Sequence, residues 1–182
     1  TLYMKLDVSE PILSLYHETL IEDVDEKENI SFLIDSMFEE STSVVIPLFN
    51  NHSHIIYPKS GLNQWNASGR IRNLDEVYIP IPSFIHLTNP EFFPSRDVEF
   101  ELETEDGNIL SAKVCQDNRK ALMSNPNSEL GEWILRKVLD LEPGTLVTVD
   151  ILVEKQIDSV LVEKHSDRKY KIRAHSSICL LY

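Results

Sequence analysis

Cysteine is scarce in this sequence: Cys115 and Cys179 are the two in 182 residues. That excludes a cysteine-based zinc site and a disulfide-dense scaffold. The expected state of both is a free, buried thiol in a reducing cytoplasm, with a single bridge left formally open. Glycine is also sparse, with 5 residues against 9 prolines, which excludes collagen-like and low-complexity architecture. No apolar run approaches the roughly 20 residues of a membrane span, and Thr1–Asp7 lacks the pattern of a secretory signal. No membrane partner is therefore expected. The chain opens on Thr1 rather than Met, and is expected to be a piece of something longer.

Catalytic patterns are lacking too. None of the histidines, at 17, 52, 54, 86, 165 and 175, belongs to a His-Glu-x-x-His motif, and none carries the Lys and Asp spacing of a phospholipase-D-type site. There is no Gly-x-Ser-x-Gly elbow, no phosphate-binding glycine loop and no dinucleotide fingerprint. His52 and His54 can share a strand face as a metal pair, but no third ligand is near, so loop histidines are the expected reading. The acidic series Glu99, Glu101, Glu103 and Glu105 lies on one face of an alternating strand, as a solvated face does. No catalytic residue, metal or cofactor is expected.

What is present is an apolar content of 42% with 26% charged residues, the balance of a globular domain with its own core. The net charge of −13 argues at first against a polyanionic partner. The charge is unevenly spread, however. Residues 1–58 carry 2 basic and 11 acidic side chains, and residues 74–109 carry 1 and 9. Between and after them, residues 59–73 hold 3 basic and no acidic side chains, and residues 110–128 hold 3 and 1. Two short basic stretches thus interrupt an acidic body, and local field decides which partner docks.

Secondary structure reads mostly as β from Ser43 onward. Val44–Phe49 and Glu76–Ile81 are β-branched runs whose prolines place them at sheet edges or strand ends. Val98–Glu103 alternates strictly, turns at Asp106-Gly107, and returns as Ile109–Val114. Val160–Val162 is expected to pair with Lys169–Arg173 across the turn at 165–168. Leu146–Val153 fits a strand or a short helix. Two helices are expected, a short one near Phe84–Leu87 and another from Glu129 to about Leu141, with Leu130, Trp133, Ile134, Val138 and Leu141 on one face. Ile30, Leu33, Ile34, Met37 and Phe38 predict a short helix in the first 43 residues, which read as a linker or the tail of a preceding domain.

The basic stretches carry the chemistry. Ser60–Arg72 groups Asn63, Gln64, Asn66, Ser68, Arg70 and Arg72 around Trp65, between Gly61 and Gly69. Asn and Gln amides match an adenine edge, and Arg forks onto guanine O6 and N7. Lys113–Asn127 repeats this composition with Gln116, Asp117, Asn118, Arg119, Lys120, Ser124, Asn125 and Asn127. Asp117 can accept from cytosine N4. The bland alternatives are a polar loop with Trp65 tucked inward and a long hairpin connection rich in turn-formers.

Three longer stretches, SGLNQWNASGRIRNLDEVYIPIPSFIH, FFPSRDVEFELETEDGNILSAKVCQDNRKALMSNPNSELGEWILRKVL and IDSVLVEKHSDRKYKI, resemble the C-terminal DNA-binding domain of NgoFVII- and NgoAVII-type restriction endonucleases. That domain is similar to the plant B-three domains and to the BfiI and EcoRII recognition domains. The resemblance, from about Val44 to Ile172, implies a mainly β, open seven-stranded DNA-binding pseudobarrel with two short flanking helices over residues 44–182. It implies two arms that enter the major groove of double-stranded DNA, Ser60–Arg72 and Gln116–Asn127. Gln64, Asn66, Arg70, Arg72, Gln116, Asp117, Asn118 and Arg119 are expected to read base edges. Ser60, Asn63, Ser68, Lys120, Ser124 and Asn125 are expected to hold phosphates, which set register without reading sequence. In such enzymes a phospholipase-D-like nuclease domain, able to dimerise, precedes this domain in the same polypeptide, and its His-Lys motif is absent here. The expected setting is the bacterial cytoplasm. The competing reading is a protein-interaction or allosteric module anchored on Trp65.

Overall fold

A computed structural model of the chain describes residues 42–50, 52–67 and 69–177. The helix expected around Ile30–Phe38, Ser68 and Cys179 lie outside the described residues. Seven strands form one sheet among them: β1 (Ser43–Pro47), β2 (Ile79–Pro80), β3 (Glu99–Thr104), β4 (Ile109–Cys115), β5 (Ala121–Ser124), β6 (Ser159–Ser166) and β7 (Lys169–His175). Their spatial order is β1-β6-β7-β3-β4-β5-β2. All neighbours are antiparallel except β3 and β7, which run parallel. The sheet is open and mixed, in keeping with an open pseudobarrel.

The two proline-bearing strands, β1 and β2, are the two edges, where a missing backbone donor interrupts no ladder. The expected Glu76–Ile81 strand shrinks to Ile79–Pro80, paired with Leu122 and Ala121. The alternating β3 buries Phe100, Leu102 and Thr104 and turns its glutamates outward. Parallel register sets Glu101 against Lys169 and Glu103 against Lys171, so that the acidic face of β3 is paired along β7. The hairpins β3–β4 and β6–β7 have the pairing that alternation and turn residues predict.

Three short helices flank the sheet: α1 (Ser83–Thr88), α2 (Glu129–Gly131, continuing as a π-helix over Glu132–Val138) and α3 (Val149–Lys155). The third resolves the Leu146–Val153 ambiguity in favour of helix. Thr148 caps it, its hydroxyl accepting from the Ile151 N–H at 3.5 Å, and Gln156 closes it in the left-handed conformation. In α2 the wider π turn changes which residues face inward. Leu130, Trp133, Ile134, Leu135 and Leu139 are buried, while Val138 and Leu141, expected from a 3.6-residue period, are only partly so.

The core is continuous, with Ile46, Leu102, Leu122, Ile134 and Ile172 fully enclosed. At one place it is aromatic. Phe92, Phe93, Phe100 and Tyr170 pack with ring centroids 4.6–6.2 Å apart. The Tyr170 hydroxyl donates to the Phe92 carbonyl at 2.6 Å, and burial pushes its pKa up to about 12. Each such ring stabilises the fold by roughly 1.5–3 kcal/mol through burial.

Candidate nucleic-acid interface

The first arm leaves β1 and returns to β2. Its central segment, Gly61–Asn66, folds as a 3-10 turn with a kink at Asn63. Gly61 has a φ of +57°, and an added Cβ would press against Pro80 at 3.3 Å, so glycine is required on two counts. Asn63 is 0% exposed. Its Nδ2 donates to the Val147 carbonyl at 2.9 Å, and its Oδ1 accepts from the Val147 N–H at 2.9 Å. This reciprocal amide pair ties the arm to the chain ahead of α3. Gln64 is also buried, at 9%. Asn66 is half-buried and donates to the Pro58 carbonyl at 3.2 Å, while Ser60 is half-buried ahead of the turn. Trp65 is half-buried.

The arm's two arginines converge on one carboxylate. Arg70 and Arg72 reach Glu76 Oε2 at 2.9 and 3.2 Å. Glu76 is well covered, with 12% of its side chain exposed, whereas Arg70 keeps 58%. Arg72 Nε is buried with no hydrogen-bond partner among the described residues. The root of the arm is fixed beside this triad. Asp75 takes Arg136 Nε from α2 at 2.7 Å. Its backbone carbonyl lies so close to Gly131 that any side chain at 131 would collide with it. Gly131 and Arg136 are supports that composition does not announce, because they act only once distant segments meet, whereas Glu76 is local to the arginines that it pairs.

The second arm is shorter than expected. Gln116–Asn127 is not one long connection: β5 occupies Ala121–Ser124, because Ala121 and Leu122 are fully buried against β4. The arm proper is Gln116–Lys120, with a 3-10 turn at Asp117–Arg119. Gln116, Asn118 and Arg119 adopt φ of 65°, 59° and 55°, positive values that non-glycine residues enter at a cost of about 1–2 kcal/mol each. Tertiary bonds hold that conformation. The Arg119 guanidinium donates to the carbonyls of Phe93 and Pro90, both at 3.1 Å. Its own carbonyl accepts from His86 Nε2 on α1 at 3.0 Å, which places the imidazole proton on that nitrogen. Burial, more than the nearby guanidinium, lowers the His86 pKa, against the opposing effect of its bond to the Arg119 carbonyl.

Held from behind in this way, Asp117 and Asn118 stand exposed and Gln116 is half-buried. Asp117 meets Arg96 at 3.1 Å. Lys120 is exposed with no ion pair among the described residues. Beyond β5 the picture changes. Ser124 is 2% exposed; its hydroxyl donates to the Pro126 carbonyl at 2.7 Å and accepts from the Leu130 N–H at 2.8 Å, fastening the start of α2. Asn125 is exposed and donates to Glu99 at 2.7 Å. Asn63 and Ser124 are therefore committed to the scaffold in this conformation, and the amide of Asn125 to a neighbouring strand.

A family model for the NgoFVII C-terminal B3-like DNA-binding domain matches residues 36–160. Among curated proteins, none matches the chain. The match takes in β1 to β5, both arms and all three helices. The chain belongs to this family of DNA-binding domains.

Proposed function

We propose that this member of the NgoFVII-type family recognises a short sequence in duplex DNA on behalf of a restriction enzyme, reading bases in the major groove with both arms. Arg70, Arg72 and Asn66 in the first arm, and Gln116, Asp117 and Asn118 in the second, are the base readers. Ser60, Ser68 and Lys120 hold phosphates. Gln64 and Arg119 act as supports of the DNA-free arms: Gln64 is enclosed, and an Arg119 fork onto guanine requires release of two carbonyl bonds. The Glu76 carboxylate keeps Arg70 and Arg72 extended and exchanges them for base acceptors, one charge-assisted contact replacing another. The observation that carries the reading is the second arm, a strained exposed turn held by Arg119 and His86 at a cost that the scaffold offsets. Strain of this kind collects where side chains must be fixed before a partner arrives.

The chain itself binds without cutting. Cleavage belongs to a phospholipase-D-like nuclease domain, N-terminal in the same polypeptide and able to dimerise, in the bacterial cytoplasm. Residues 1–43 form the connection, and residues 44–182 the recognition domain. Selection from a random duplex library tests the reading. It predicts enrichment of one short motif, uncut, bound more tightly as duplex than as either single strand. Recovery of no motif, or equal binding to single strands, overturns it.

A further inference from the structure

Beside the second arm lies an open hollow of about 750 Å³ into which three separate segments deliver cations. Arg96 comes from the loop before β3, Arg119 from the arm, Lys164 from the end of β6 and Arg168 from the β6–β7 turn. We infer that this hollow grips the phosphate backbone of duplex DNA flanking the recognised site, with Arg168 as its principal contact. The inference rests on the duplex-reading proposal and extends it to residues outside both arms.

The charges around the hollow are unequally satisfied. Arg96 is shared between Asp97 and Asp117, at 3.2 and 3.1 Å. Lys164 donates to the Glu91 carbonyl at 2.8 Å and stands 3.7 Å from Asp167. The Arg119 guanidinium rests on neutral carbonyls and has no ion pair among the described residues. Arg168 is exposed and has no acidic partner among the described residues. Two guanidinium charges thus face the opening without an ion pair among the described residues, beside the acidic Glu91 and Asp167 that also line it, on a chain whose total is −13. Guanidinium donors form a planar fork that matches two phosphate oxygens, which a carboxylate-lined surface elsewhere would repel.

The wall of the hollow includes Phe93 and Tyr170, members of the aromatic cluster in the core. It is also continuous with the reading element. Arg119 both lines the hollow and pins the arm, and the Arg96–Asp117 contact joins its rim to the arm tip. A duplex engaged by the arm therefore carries its next phosphates towards these cations. The continuity favours DNA over an acidic peptide as the occupant.

The test uses the full chain and the duplex that it selects from the library, in a long form and in forms trimmed on either flank. Arg168→Ala is expected to weaken binding about three- to tenfold on every base variant of the long duplex, and to reduce the salt slope by about 0.9, the value for one phosphate contact. Arg168→Glu should weaken it further. Trimming one flank, and not the other, should erase the difference from wild type. The exposed side chain keeps these variants folded, which thermal unfolding checks. If Arg168→Glu leaves affinity and salt slope unchanged on a duplex that wild type binds, the hollow is no backbone clamp, although the arms still read. A change of base preference in Arg168→Ala would equally overturn the clamp, by making Arg168 a reader. If wild type selects no duplex, both this inference and the reading beneath it fall together.

Discussion

The two arms are built on opposite plans. The first is long, and its rigidity comes from side chains: the Asn63 amide bonded to Val147, Asp75 held by Arg136, and Glu76 between two arginines. The second is five residues long, and its rigidity comes from backbone geometry clasped at one residue, Arg119. The lesson concerns what an arginine in a basic stretch is for. Arg70 is paired with a carboxylate, a contact that a polyanion can replace. Arg119 is bonded to two backbone carbonyls, contacts that fasten the second arm to the segment at 90–93. Similar composition therefore carries different roles.

The contrast can be broken most sharply at Asn63. If the first arm depends on its buried amide, Asn63→Ala should lower unfolding stability by roughly 2–3 kcal/mol, since it removes the pair and leaves the Val147 N–H buried without a partner. Denaturant unfolding reads this directly. A loss under about 0.5 kcal/mol would mean that the arm is held by other contacts. A smaller effect sharpens the electrostatic side. Glu76→Gln removes the charge shared by Arg70 and Arg72 and should raise affinity for non-cognate duplex about two- to fourfold at low salt, fading as salt screens it. Unaltered non-cognate binding would show that Glu76 serves geometry alone.

Much of the sheet was legible in advance, because alternation is a local signal. The hairpin of β3 and β4 and that of β6 and β7 followed from period-two burial and turn residues, and proline marked both edges. Other features are not local. β5, with the sequence ALMS, is too short to alternate and becomes a strand only because β4 lies alongside. Val149–Lys155 is β-branched in part, and its cap at Thr148 decides for helix. In α2 the π turn displaced the buried face from Val138 and Leu141 to Leu135 and Leu139.

The candidate site divides in the same way. Composition locates both arms, since basic, amide-rich stretches stand out of an acidic chain. It does not separate Asn63 and Ser124, enclosed and bonded within the scaffold, from Asn118, which is exposed. A side-chain amide has the same composition whether it meets a base or a backbone. The hollow around Arg168 left no trace in the sequence, because its cations arrive from positions 96, 119, 164 and 168.

The central claim is that each arm reads its own bases, and one panel tests it. Wild type, Arg70→Ala and Asn118→Gly are titrated against every single-base variant of the selected duplex. Glycine at 118 keeps the left-handed backbone while removing the amide. The account predicts a loss of about 1–3 kcal/mol on the cognate site for each variant, with preference relaxed at one position by Arg70→Ala and at a different position by Asn118→Gly. Uniform weakening across the whole panel by both variants would contradict it, making the arms clamps on phosphate rather than readers of sequence.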